Sequence, residues 1–313
     1  MKAVICSSYG LPNVLQIQQI PKPVPNSNQV LVKIIASAIN SADVKVRSLD
    51  VKWYMKTIMR IVLGISKPRK SILGTVFSGI IVDKGNKVSN FEIGDKVFGL
   101  TGFKFGTHAE YIVVNKNSNF IVMPKNASFE EAAAIVFGGQ TAVYFLTKAK
   151  LYAKKNAKIL IVGATGSVGL AALQIADFFK ASITAVCSSK GLKIVEELGI
   201  NDYIFYDKDD VFSTTKKFDI IFDAIGKTNK ANYRKLLKEK GMIVSVNSGY
   251  AFETKEQLKF LKMLFENGRL KAIIDKVFTI DEIVDAHSYV DTGRKKGNVI
   301  LKIIDQDHVN CVI

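Results

Sequence analysis

Cysteine and histidine are scarce in this chain, with three of each in 313 residues. Cys6, Cys187 and Cys311 lie far apart and form no C-x-x-C pair, which argues against a disulfide framework and for a reducing compartment, the cytoplasm. His108, His287 and His308 are scattered, with no carboxylate or thiol at ligand spacing, and read as structural. A tetrahedral nitrogen and sulfur site therefore lacks ligands, and no metal is expected. Long apolar runs are missing too. None reaches the roughly 18 residues a membrane-spanning helix needs, and the opening "MKAVICSSYG" reads as a strand rather than a signal peptide. Arginine is the remaining shortage. The 44 basic residues comprise 38 lysines and 6 arginines, under a net charge of +16. Nucleic-acid readers group arginine forks with aromatic platforms, and no such group occurs here. The excess reads as a solvated lysine surface, and nucleic acid is not the expected partner.

What the chain does have changes character near residue 125. Before it, short β-rich runs ("AVICSS", "QVLVKIIASAI", "SGIIVDKG", "HAEYIVV") are separated by Gly, Pro and Asn turns. After it, helical and strand patterns alternate. Ser128 and Glu131 form a capping box at the head of the first helix. "KILIV" is a buried strand, and "SVGLAALQIADFF" places apolar residues on one face of a helix. "SITAVC", "KIVEELG", "FDIIFDAIG", the helical "ANYRKLLKEKG" and "MIVSVN" continue the alternation. The expected class is α/β, with a parallel sheet covered by helices following a β-rich region.

Between "KILIV" and its helix lies "GATGSVG". Gly163 precedes Ala164, Thr165, Gly166, Ser167, Val168 and Gly169, which fit A-x-G-x-x-G. Gly166 lets the backbone approach a pyrophosphate, Gly169 lets the helix pack closely on the strand, and the helix N-terminus offers free N–H groups. In this strand–turn–helix setting the loop reads as a dinucleotide site. The next strand ends in Cys187, Ser188, Ser189 and Lys190, and the first acid after it, Glu196, lies inside the following helix. An NAD site uses an acid there to bind the ribose 2′-hydroxyl. Hydroxyls and an ammonium suit a 2′-phosphate, so NADPH is the expected cofactor. Tyr144 and Lys148 have a Y-x-x-x-K spacing, but they precede the glycine loop and read as helix core and helix surface.

Taken in order, "MKAVICSSYGLPNVLQI", "QVLVKIIASAINSADVKVR", "ILGTVFSGIIVDKGNKVSNFEIGDKVFG", "GTHAEYIVV", "MPKNASFEEAAAIVFGGQTA", "ILIVGATGSVG" and "GNVILKI" resemble the zinc-independent medium-chain dehydrogenase/reductase superfamily, in its quinone oxidoreductase-like branch. The resemblance covers nearly the whole chain. It implies a GroES-like β-rich catalytic domain of 1–125 completed by 270–313. A doubly wound parallel-sheet Rossmann domain of 126–269 is inserted before that last segment. A cleft between the two is expected to hold the nicotinamide.

Where zinc-dependent members carry ligands, this chain has Asn40, three before Asp43, and Gly74-Thr75-Val76 in place of G-H-E. Without a Lewis acid to ionise an alcohol, the expected reaction is hydride transfer from NADPH to a quinone or an α,β-unsaturated carbonyl. Enoyl-thioester reduction is an alternative within the enzyme class. A cofactor-binding protein acting through its basic surface on RNA or membrane is the alternative outside it. By resemblance, Asn40 and Thr141 lie at the nicotinamide end, and Tyr206 flanks the adenine or its phosphate. Ile225, Val246 and Asn247 follow the ends of later strands. Tyr54 is a candidate proton donor, with core packing as the open alternative. Lys52, Lys56 and Arg60 form a basic stripe among Trp53, Met55, Ile58, Met59, Val62 and Leu63, which suits a cap on the cleft, a weak membrane-surface contact or plain packing. A homodimer is implied by the resemblance alone.

Overall fold

The computed structural model describes residues 1–51, 53–227 and 229–304. Lys52, His308 and Cys311 lie outside the described residues, and so do the side chains of Tyr54 and Met55. In chain order the elements are β1 (Lys2–Cys6), β2 (Leu15–Gln19), β3 (Gln29–Ile39), α1 (Ser41–Ser48), α2 (Trp53–Leu63), β4 (Val76–Lys84), β5 (Lys96–Leu100), β6 (Tyr111–Asn115) and β7 (Phe120–Val122). They continue with α3 (Phe129–Lys148), β8 (Lys158–Val162), α4 (Ser167–Phe178), β9 (Ser182–Cys187), α5 (Leu192–Glu197), β10 (Tyr203–Phe205), β11 (Phe218–Asp223), α6 (Lys230–Arg234), β12 (Leu237–Ser245), α7 (Lys255–Glu266), β13 (Ile274–Thr279), α8 (Ile283–Asp291) and β14 (Asn298–Lys302). Among the described residues, no helix is long and apolar enough to cross a membrane.

Two compact units result, Met1–Val136 with Ile274–Ile313, and Phe137–Ile273. The first boundary falls inside α3 rather than in the loop before it. In the β-rich unit, strands run β13-β14-β3-β4-β5-β7, with β6 also on β3, beside a β1–β2 hairpin. Strand β3 is the spine, because Val, Ile and Ala along "QVLVKIIASAI" bury every residue after Gln29. The returning segment completes this unit. Val299 to Lys302 of β14 pair antiparallel with Ile39 to Ala36 of β3, and Ile283, Ala286 and Val290 of α8 enter the same core. Phe91 stacks on Phe120 at 4.5 Å within it.

The α/β unit is a five-stranded sheet in the order β10-β9-β8-β11-β12, with every pairing parallel. Strand order reverses between β8 and β11, and such a switch opens a crevice at the carboxyl ends of those strands. The capping box at the head of α3 is formed in both directions, Ser128 N–H to Glu131 at 2.9 Å and Glu131 N–H to Ser128 at 3.1 Å. Two local expectations differ from the outcome. Helix α4 is buried on all sides from Val168 to Ala176 rather than along one face. Gly169 and the alanines let this stretch pack closely all round, and its one polar residue, Gln174, is satisfied by the backbone of Lys271. The stretch "ANYRKLLKEKG" is helical only through Arg234. From Leu237 it joins β12 instead, because parallel pairing with β11 outweighs its helix-forming lysines and leucines.

Candidate functional site

The glycine loop lies at the carboxyl end of β8. Gly163 adopts φ +78°, and a Cβ there would meet Ile225 Cγ1 at 2.3 Å. A Cβ on Gly169 would meet the Gly163 carbonyl at 2.1 Å, so the helix can sit this close only as glycine. The loop is pinned by Gly163 and Ala164 N–H groups on the Val186 carbonyl, both at 3.0 Å. Gly166 caps α4, with no side-chain cap and no acid in the first turn. The helix thus presents its N–H groups and positive dipole end uncapped, the setting an anionic phosphate requires. Thr165, Ser167 and Val168 complete the turn. From α3, Gly138 comes so close to Ser167 that a Cβ would meet its carbonyl at 2.5 Å, and Thr141 lies one turn further along, buried.

Neighbouring strand ends gather around the same loop. Asp223, buried at the end of β11, accepts the N–H groups of Ile225 and Gly226 at 3.0 and 2.9 Å and the Ser245 hydroxyl at 2.9 Å. Ser245 in turn accepts the Asn247 N–H. A Cβ on Gly226 (φ +77°) would meet Asn247 Cβ at 3.0 Å and Val246 Cγ2 at 3.2 Å. Asp223 was not among the residues expected from sequence. Its signal was its place at a strand end, and its work is to shape the Ile225 and Asn247 turns.

At the end of β9, the Ser188–Lys190 turn packs on the loop, because Gly191 stands where a Cβ would meet Thr165 Cγ2 at 2.7 Å. Tyr206 is exposed and donates its N–H to the Cys187 carbonyl at 3.1 Å. Ser189 has a partner that sequence reasoning missed. Its N–H and its hydroxyl both donate to the Asp207 carboxylate, each at 2.8 Å. These bonds, the side-chain one foremost, hold the Asp207 carboxyl below the usual carboxylate range. Parallel pairing of β10 with β9 is what brings these distant residues together.

In the β-rich unit, Asn40 caps α1. Its side-chain oxygen accepts the Ala42 and Asp43 N–H groups at 2.8 and 3.2 Å, and its own N–H donates to Asp43 Oδ2 at 3.0 Å. That fixes its amide, which donates to Thr75 Oγ1 at 2.8 Å. Asn40 and Thr75 are both buried. Asp43 Oδ1 has no partner, and burial pushes the Asp43 carboxyl up to about 7 against the lowering pull of the Asn40 and Gly74 N–H groups. Gly74 (φ +85°) lets Thr107 and His108 close in, since a Cβ would meet Thr107 Oγ1 at 2.3 Å and His108 Cδ2 at 2.4 Å. Thr107 in turn shares a hydrogen bond with Ser37 at 3.0 Å.

Two of the scattered histidines prove to be neighbours. His108 and His287 meet edge to face, with ring centroids 5.6 Å apart, and neither ring nitrogen of either has a partner. Burial drives His108 down to about 3, and burial foremost, then the charges of His108 and Arg47, drives His287 well below its usual value. Arg47 is itself fully buried, with Nη2 on Asp291 at 2.7 Å and with Nε and Nη1 unpartnered. Spacing in sequence could not reveal this cluster, because its members come from α1, from the stretch before β6 and from α8.

A zinc ion does not fit this donor set. Among the described residues no group of three His, Cys, Asp or Glu side chains could hold a metal, and Asn40 and Thr75 offer an amide and a hydroxyl in hydrogen-bonded contact. The dinucleotide does fit the glycine loop, whose uncapped helix end and Cβ-free close approaches leave room for a pyrophosphate. Tyr54 falls in α2, and its side chain lies outside the described residues.

The family described as "Alcohol dehydrogenase GroES-like domain" matches residues 26–125, and the family described as "Zinc-binding dehydrogenase" matches residues 167–275. A 2-methylene-furan-3-one reductase of Solanum lycopersicum is 34% identical, covering 96% of this chain and 79% of its own. A chloroplastic NADPH-dependent alkenal/one oxidoreductase of Arabidopsis thaliana is 30% identical with the same coverage. The structure of the quinone oxidoreductase from Coxiella burnetii superposes with a TM-score of 0.87 at 28% identity, covering 97% of this chain and 99% of that one.

Proposed function

The chain belongs to the medium-chain dehydrogenase/reductase superfamily, in its quinone oxidoreductase-like branch, a group of NAD(P)H-dependent oxidoreductases, and from that premise we propose that it passes hydride from NADPH to a quinone or an α,β-unsaturated carbonyl without zinc. The observation that carries this is the uncapped α4 N-terminus behind Gly163 and Gly169 at the sheet's switch point. Support for the acceptor class comes from relatives named for 2-methylene-furan-3-one, alkenal/one and quinone. The bound nicotinamide supplies the hydride. The loop glycines admit the pyrophosphate, and the α4 N–H groups offset its charge. Ile225, braced by Asp223, closes over Gly163. Thr75, accepting the Asn40 amide, keeps its own hydroxyl proton available for an oxygen that gains negative charge.

Use of NADPH is supported by β9 ending without an acid of its own and by Lys190 beside that end. Turnover of NADPH by chelator-treated protein with quinones, 2-alkenals and an enoyl thioester, with NADH in parallel, tests the whole reading. Activity lost on chelation and restored by zinc would overturn it, and the best acceptor would name the substrate class.

A cytoplasmic homodimer that touches anionic membranes weakly at α2 completes the proposal. Trp53 is 83% exposed, and Ile58, Ile61, Val62 and Ile65 are exposed nearby among Lys56, Arg60 and Lys67. Absence of binding to anionic vesicles at low salt removes the membrane contact, and a monomer mass in sedimentation removes the dimer.

A further inference from the structure

The cofactor reading above leaves one charged side chain unexplained at the edge of the nucleotide site. In dinucleotide folds the end of the second strand faces the ribose, and an acid there accepts the 2′-hydroxyl. Here the second strand, β9, ends without one. The third strand supplies it. Phe205 of β10 pairs with Cys187 of β9, so both strands finish side by side. Two residues beyond that pair, Asp207 places its carboxylate against the Ser188–Gly191 turn and takes both donors of Ser189, N–H and hydroxyl, at 2.8 Å each. That turn rests on Thr165 of the glycine loop. Asp207 therefore holds the turn that packs on the glycine loop.

We infer that Asp207 sets cofactor choice at the ribose, accepting a free 2′-hydroxyl and opposing a 2′-phosphate, so that the site takes both forms of the dinucleotide. The inference rests on the dinucleotide reading above. Three features carry it. Both Ser189 donors are occupied and are not offered to a phosphate. The carboxylate is exposed, so it meets the ligand rather than the core. Its bonds to Ser189 keep it ionised well below neutrality, so the charge is present whenever the protein works. A phosphate dianion beside a fixed carboxylate is repelled, whereas a ribose hydroxyl can donate to it. Lys190 and Lys208 adjoin Ser189 and Asp207 in sequence, and their positive charges temper the repulsion, so the expected outcome is admission of both forms rather than exclusion of one.

The test uses nucleotide fragments that lack nicotinamide, so turnover plays no part. Calorimetry on the full chain at low salt compares adenosine 2′,5′-bisphosphate with 5′-AMP for the wild type, Asp207→Asn and Ser189→Ala. Removing the charge in Asp207→Asn is expected to tighten the bisphosphate roughly tenfold and to change AMP by less than about twofold, with the gain shrinking as salt is added. Ser189→Ala keeps the charge and is expected to leave the ratio of the two affinities within about twofold of wild type. A bisphosphate no tighter in Asp207→Asn overturns the inference while leaving the cofactor reading standing. An equal shift in Ser189→Ala also overturns it, by showing that Asp207 acts only as a brace for the turn. Failure of the wild type to bind either nucleotide overturns the cofactor reading and the inference together.

Discussion

The two units organise their polar groups in opposite ways. In the α/β unit the important groups are backbone atoms. The glycine loop owes its shape to missing Cβ atoms, at Gly169 against Gly163 and at Gly138 against Ser167, and no side chain caps the helix that follows it. In the β-rich unit the important groups are side chains drawn from distant segments and sealed from solvent. Asp43, Arg47, His108 and His287 hold seven buried side-chain nitrogen and oxygen atoms without partners, the full set of such side-chain atoms among the described residues. A backbone site is local and cheap to specify. A buried side-chain cluster is collective, because it exists only where distant segments meet.

The largest expected effect breaks the backbone site. Gly169→Ala puts a Cβ 2.1 Å from the Gly163 carbonyl, so α4 must retreat from β8. Dinucleotide affinity should fall by roughly two orders of magnitude, because the helix N-terminus no longer faces the pyrophosphate. Calorimetric titration with NADPH, alongside circular dichroism to confirm folding, reads the loss; unchanged affinity would mean that the loop does not hold the cofactor.

Next comes the hinge between structure and chemistry in the β-rich unit. Asn40→Asp keeps an oxygen to cap α1 but loses the amide donor to Thr75. Asn40→Ala loses both, and a lost cap costs about 1 kcal/mol. The expected pattern is a kcat reduced about tenfold in both variants, with a clear drop in melting temperature only in the alanine. Equal melting losses and unchanged kcat would reduce Asn40 to a helix cap.

The smallest effect sharpens the comparison through pH. His108 is held near 3 and His287 well below 6.5, so each contributes stability that is present above about 6.5 and lost as pH falls through that range towards the folded value. Asp43 runs the other way. Its folded value is raised from 3.8 to about 7, so its protonated form favours folding at low pH and that advantage is lost as pH rises from 3.8 towards 7. Two histidines outweigh one carboxyl, and the melting temperature should decline as pH is lowered from 7 to about 4.5. His108→Phe should make the decline shallower, and Asp43→Asn should make it steeper by removing the opposing contribution. Scanning calorimetry across that range checks both slopes, and identical slopes in all three proteins would show that the cluster does not titrate as a buried unit.

Much of this was legible in the chain. Alternating β-rich and helical periodicity led to a parallel α/β sheet after a β-rich region. "GATGSVG" between "KILIV" and an apolar helix marked the loop, because glycine spacing is a local property of backbone. Asn40 and Thr75 stood out as positions where metal ligands were missing. Other features were out of reach. The all-round burial of α4 follows from what packs on it. The early end of α6 follows from the pairing of β12 with β11, which competes with a good helix-forming sequence.

Sequence alone thus determined the two-part architecture and the glycine loop between strand and helix, since each depends on residue type and short spacing. Only the tertiary structure decided that Asp207 reaches Ser189, and that His108 and His287 face one another beside Arg47. Those contacts join residues 18 or more positions apart, and they exist because strand pairing and helix docking bring unrelated segments together.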